Sequence, residues 1–148
     1  MNIRKVGRNS SLEFYVAATS TSYYLPYFKG VSAGFPSPAE DHTELSIDLN
    51  KELIRNPSAT FYVRVKGDSM KEAGIHNGDV LVVDRSLEVS NNAIAVCFLD
   101  GEFTIKRVKI KKGKCLLVPA NKDYPIIEVK EQNEFQIWGL VTYNIKKM

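Results

Sequence analysis

From residue 60 onward, strand-like runs of apolar residues follow one another along the chain. "TFYVRVKG" (60–67) puts Phe61, Val63 and Val65 on one side of a strand. Similar runs follow at 79–84, 93–100, 102–110, 115–119, 126–130 and 135–145. Asp100-Gly101 sits between two of them and is a two-residue hairpin signal. These segments predict a mainly β fold, a compact, antiparallel, barrel-like body. One short helix is expected in "IDLNKELIRNP" (47–57). Asp48 supplies its cap, Leu49, Leu53 and Ile54 its apolar side, and Pro57 its stop.

Residues 1–33 have another texture. Ser and Thr are dense (Ser10, Ser11, Thr19 to Ser22), and Phe14, Tyr15, Tyr23, Tyr24, Tyr27 and Phe28 are interspersed without helical spacing. This reads as an extended arm that lies on a surface or pairs at a sheet edge. Residues 34–43 form a joint in which Pro36 and Pro38 favour extended backbone. The expected division is therefore an arm, 1–33, and a β domain, 34–148.

Charge sharpens that boundary. Residues 1–33 carry four basic residues against Glu13 alone, while 34–148 carry sixteen basic and sixteen acidic residues. A neutral body argues against tight electrostatic DNA binding by the domain itself, and no direct sequence-specific DNA binding is expected. No stretch approaches the roughly 18 consecutive apolar residues of a membrane span. Cys97 and Cys115 read as buried thiols in a reducing compartment. With only His42 and His76 beside them they lack zinc-site spacing, and no metal or cofactor is expected.

"VKGDSMKEAGIHNGDVLVVD" (65–84) interrupts the strand pattern. Ser69 to Ala73 read as one helical turn closed by Gly74. A serine at such a junction is exposed, and the backbone N–H groups of Ser69 and Met70 are available to hold an oxyanion. The plainer reading, that Asp68 or Ser69 merely caps the turn, is equally open at this point. A nucleophilic serine needs a base. His42 and His76 lack a triad context and read as surface residues. A lysine serves only if its pKa of ~10.4 is depressed, which burial does by up to ~3–5 units. In "EFTIKRVKIKKGK" (102–114), Lys106 shares a strand face with Thr104, Val108 and Ile110. Arg107, Lys109 and Lys111 share the opposite one. Lys106 is thus the lysine placed against a core. The other cations read as a solvated edge that blocks aggregation, with a weak nucleic-acid or partner patch as the alternative.

"GDSM" (67–70), "GDVLVVD" (78–84) and "DGEFTIKRV" (100–108) resemble the serine–lysine self-cleaving peptidases of the LexA/UmuD type, the UmuD branch more closely. "GFPSPAEDH" (34–42), "IDLNKELIRNPSATFYVRVKGDSM" (47–70) and Trp138-Gly139-Leu140-Val141 extend the resemblance over about 34–148. It implies Ser69 as nucleophile, Lys106 as base and Ala33–Gly34 as the bond cut, although the best-known UmuD pattern has cysteine before that glycine. It also implies activation by a RecA–single-stranded DNA filament in the SOS response to DNA damage. The resemblance further implies that the shortened chain, as a homodimer in the cytoplasm, serves a UmuC-like error-prone polymerase catalytic subunit.

Rival readings are weaker. A LexA-like transcriptional regulator needs a helix-turn-helix domain ahead of the cut, and these 33 residues lack its helices. Export fits "VSA" (31–33) and the basic start, yet residues 9–30 contain no apolar run of signal-peptide length. A signal peptidase would carry a membrane anchor. A non-cleaving polymerase accessory subunit would have no need of an intact "GDSM" and Lys106.

Overall fold

The computed structural model describes residues 2–8, 12–18, 25–28 and 44–148, with side chains over 12–16 and 47–148. The expected cleavage bond Ala33–Gly34 and His42 lie outside the described residues. The strands are β1 (Asn2–Arg8), β2 (Leu12–Ala18), β3 (Leu25–Phe28), β4 (Glu44–Ile47), β5 (Thr60–Val65) and β6 (Val80–Asp84). They continue with β7 (Ile94–Leu99), β8 (Glu102–Lys111), β9 (Lys114–Val118), β10 (Ile127–Glu128) and β11 (Phe135–Ile145). Nine of them form one sheet in the order β1-β2-β5-β6-β11-β7-β8-β9-β10, and β3 pairs with β4 in a separate ribbon. Every pairing is antiparallel. The mainly β expectation holds, and the sheet is open rather than closed into a barrel.

Local chemistry explains the order. β7 and β8 are joined at Asp100-Gly101, whose φ values of 48° and 86° suit the two-residue turn, with Leu99 opposite Glu102. β11 bridges the two halves, pairing with β7 through its first part and with β6 through its second. Its register shifts between Ile137 and Gly139, where a Cβ would stand 2.7 Å from Val83 Cγ1. β2 pairs along β5, the sheet-edge behaviour expected of the arm.

The core forms on both sides of the sheet. Leu12, Phe14, Val63, Val65, Met70, Leu81 and Ile105 belong to one buried cluster, Ala95, Cys97, Val108 and Leu117 to a second, and Ile54, Tyr62 and Val82 to a third. β5 therefore buries Tyr62 on the face opposite Val63 and Val65, where one buried face was expected. The helix α1 (Leu49–Leu53) is capped by Asp48, whose Oδ1 accepts from Asn50 N at 3.0 Å. Its apolar side departs from expectation. Leu49 is exposed, because the helix ends after one turn and the extended Ile54 is what enters the core. Ile110, expected on the core side, is exposed as well: it lies beyond Val108, where the β8–β9 hairpin outruns the cluster.

Candidate active site

The site grows out of the end of β5. Gly67, at φ 90°, turns the chain out of the strand, a conformation that glycine adopts without strain. Its N–H donates to Asn77 Oδ1 at 3.0 Å, and Gly78 N donates to Val65 O at 2.9 Å, so the outgoing and returning chains are tied together. A single 3₁₀ turn follows over Lys71–Ala73, closed by Gly74 at φ 79°. Ser69 stands just ahead of it, half-buried. The turn closes through Lys71 N to Asp68 O, and through Ala73 N and Ile75 N to Met70 O. The N–H groups of Ser69 and Met70 are not among the donors in these bonds. They are left over for another acceptor.

A loop after β9 clamps this turn from outside. Asn121, itself buried, donates from Nδ2 to Asp68 O at 3.0 Å, and the Tyr124 hydroxyl donates to Asp68 Oδ1 at 2.8 Å. Glu72 N donates to Ala120 O at 2.8 Å, and Ala120 N to Met70 Sδ at 3.3 Å. The sequence reading missed Asn121 and Tyr124, because "ANKDYP" shows only turn composition.

Lys106 arrives from the middle of β8 and is 5 % exposed. Its Nζ lies 3.1 Å from Ser69 Oγ, 2.6 Å from Thr104 Oγ1 and 3.0 Å from Ile105 O. Burial pushes its pKa below the usual lysine value. Cys97 is no counter-ion: burial lifts its thiol to about 12, so it stays neutral. None of the ion pairs among the described residues involves Lys106.

The consequence is chemical. A neutral amine has two N–H groups and one lone pair. The Ile105 carbonyl only accepts and the Thr104 hydroxyl accepts at short range, which leaves the lone pair for the Ser69 proton. A cavity of about 330 Å³ opens beside the pair, lined by Leu12, Val65, Met70, Ile75 and Tyr124 among others. Apolar and polar side chains share its walls, and the burial of Lys106 beside it disfavours the charged form of the amine.

The structure thus brings Ser69, Lys106 and the Met70 N–H group into one place. His76 is not part of it. It is exposed, with Nδ1 2.9 Å from Lys146 Nζ, in a cluster where Lys146 also meets Asp79 at 2.6 Å. Cys115 is a free, half-buried thiol. No helix among the described residues is long and apolar enough to cross a membrane.

Comparison with known proteins points to a family. A family model described as Peptidase S24-like matches residues 26–142, which include every described residue of the site except Leu12. Protein MucA of Salmonella typhimurium is 45% identical over 120 residues, 80% of this chain and 82% of that protein. Protein SamA of Salmonella typhimurium strain LT2 is 49% identical over 115 residues, 78% of this chain and 79% of that protein. The LexA repressor of Paracidovorax citrulli is 34% identical over 139 residues, 93% of this chain and 62% of the repressor.

Proposed function

The chain belongs to the Peptidase S24-like family, and on that footing we propose that it is a serine peptidase that cuts itself at Ala33–Gly34. The observation that carries this reading is the 3.1 Å approach of Lys106 Nζ to Ser69 Oγ by a buried lysine whose pKa is lowered. Neutral Lys106 takes the Ser69 proton as Oγ attacks the Ala33 carbonyl. The N–H groups of Ser69 and Met70 hold the oxyanion. The Ala33–Gly34 C–N bond breaks, Lys106 returns the proton to the leaving Gly34 amine, and Ala33 remains esterified to Ser69. Water, deprotonated by Lys106, then hydrolyses the ester and frees Ser69. Ala33 is small and Gly34 carries no side chain, which suits a bond that must come close to another backbone.

In this reading residues 1–33 are an arm removed by the cut, and 34–148 are the lasting domain. By its likeness to the UmuD branch, the cytoplasmic, shortened chain acts as a homodimer with a UmuC-like polymerase catalytic subunit in error-prone synthesis during the SOS response. A RecA–single-stranded DNA filament speeds the cut. The test is to incubate purified chain at mildly alkaline pH, with and without the filament, and sequence any new N-terminus. A Gly34 terminus that disappears in Ser69→Ala supports the reading. Cleavage that survives Ser69→Ala refutes it.

A further inference from the structure

β2 lies along the edge of β5 at the mouth of the site. It pairs from Leu12 opposite Val65 to Val16 opposite Phe61. Val65 is at the end of β5 that leads, through Lys66 and Gly67, to Ser69. Leu12 is only 1 % exposed and forms a wall of the cavity that holds Ser69 and Lys106. Next to it, Glu13 pairs with Lys66 at 3.4 Å. Phe14 meets Phe103 and Trp138 edge to face, with ring centroids 4.8 and 5.0 Å apart. β1 backs this strand along its far edge. The whole hairpin precedes Pro26, where the match to the family model begins.

A peptide cut at Ser69 has to reach it extended, and an extended peptide binds by adding to a free strand edge. β6 holds one edge of β5 and β2 holds the other, the one beside the cavity. An incoming strand on that edge needs the same N–H and C=O groups that β2 occupies. The side chain it sets opposite Val65 needs the space of Leu12.

We propose that the β1–β2 hairpin is a built-in competitor of the scissile segment. It holds the β5 edge and fills part of the cavity, so self-cleavage proceeds only through molecules in which the hairpin has let go. The inference rests on the self-cleavage reading above and adds its regulation. The rate then scales with the undocked fraction, and whatever detaches the hairpin speeds the cut without touching Ser69 or Lys106. The arm thereby has a role before its removal.

Because Leu12 and Phe14 are core residues, deleting the hairpin risks unfolding the chain. A reversible lock avoids this. Val16 and Phe61 are register partners, and Cα atoms opposed in an antiparallel pair are about 4.5–5.5 Å apart, within disulfide range. The experiment uses full-length Val16→Cys/Phe61→Cys in a Cys115→Ser background and follows the Gly34 terminus with time. The oxidised form is expected to cut at least 10-fold more slowly than the same protein after reduction. Equal rates in the two forms overturn the proposal. In parallel, a fluorescent peptide of residues 27–40 is titrated onto the locked protein carrying Ser69→Ala. Binding is expected only after reduction, and equal binding to both forms also overturns the proposal. A chain that never cuts itself, locked or not, counts against self-cleavage, and the peptide titration then decides the competition by itself.

Discussion

Lys106 Nζ stands 3.1 Å from Ser69 Oγ across 37 residues of sequence, and Thr104, two residues before the lysine, holds the same nitrogen at 2.6 Å. The closer contact is to the threonine. The amine is thus aimed by its own strand, and the serine meets a nitrogen already oriented.

Thr104→Val tests that aim. Valine keeps the shape and removes the acceptor. The maximal self-cleavage rate is expected to fall about 2- to 12-fold, the value of one hydrogen bond of roughly 0.5–1.5 kcal/mol. The hydroxyl also stabilises the ammonium more than the neutral amine. Its loss is therefore expected to move the pH–rate profile to lower pH. Thr104→Ser should restore both features. A profile unchanged in height and position contradicts the role.

Lys106 also makes stability depend on pH. Burial lowers its folded pKa, while in the unfolded chain it holds its proton up to ~10.4. Between the two values the unfolded state binds a proton that the native state lacks, so stability rises with pH. Below the folded value both states are protonated and the burial penalty is fully present. Urea melts of wild type and Lys106→Met should show wild type gaining on the variant as pH rises from neutral toward 10. A pH-independent difference contradicts a depressed pKa.

Asp79 has the opposite sign. Burial raises its pKa, but hydrogen bonds from Lys146, His76 N and Asn144, with the Lys146 charge, outweigh this and hold it below the usual value. Its contribution is present above ~3.9 and is lost as pH falls through the lower folded value. Asn144 also donates to Gly74 O at 3.1 Å, tying β11 to the turn that follows Ser69. Lys146→Met is therefore expected to lower Tm at pH 7, with the deficit shrinking in acid below pH ~3.9. A deficit that persists unchanged in acid contradicts the pairing.

Gly139→Ala probes the bridge strand. The new Cβ meets Val83 Cγ1 at 2.7 Å, and Val83 is fully buried on a stiff branched side chain. Overpacking of this kind costs about 1–3 kcal/mol. Denaturant melts should show that loss with an unchanged slope. A variant as stable as wild type would mean that β11 shifts freely.

The sequence made Ser69 and Lys106 legible for different reasons. Ser69 interrupts a regular strand pattern at a glycine, a local signal. Lys106 breaks the polarity of its own strand face, which alternation exposes. Thr104 stood on the same face, but nothing in a period of two distinguishes a bonded threonine from a packed one. Asn121 and Tyr124 reach Asp68 across 53 and 56 residues, and such closures leave no local trace. The same holds for β2: the sequence suggested an arm that lies on a surface or pairs at a sheet edge, but the choice of β5 and the place of Leu12 in the wall of the Ser69 cavity depend on register between distant segments. The exposure of Leu49 and Ile110 has a related cause, since periodicity assigns a face and not where the core ends.

The most direct test of the central claim, that a buried neutral Lys106 activates Ser69, is the pH dependence of the first-order appearance of the Gly34 terminus. The expected rate rises with pH as Lys106 loses its proton and levels off below the ~10.4 of an ordinary lysine. Lys106→Ala should lower the plateau by about 10²–10⁴-fold, and Ser69→Ala should abolish it. A flat profile, or a Lys106→Ala variant that cuts itself at the wild-type rate, would contradict the account.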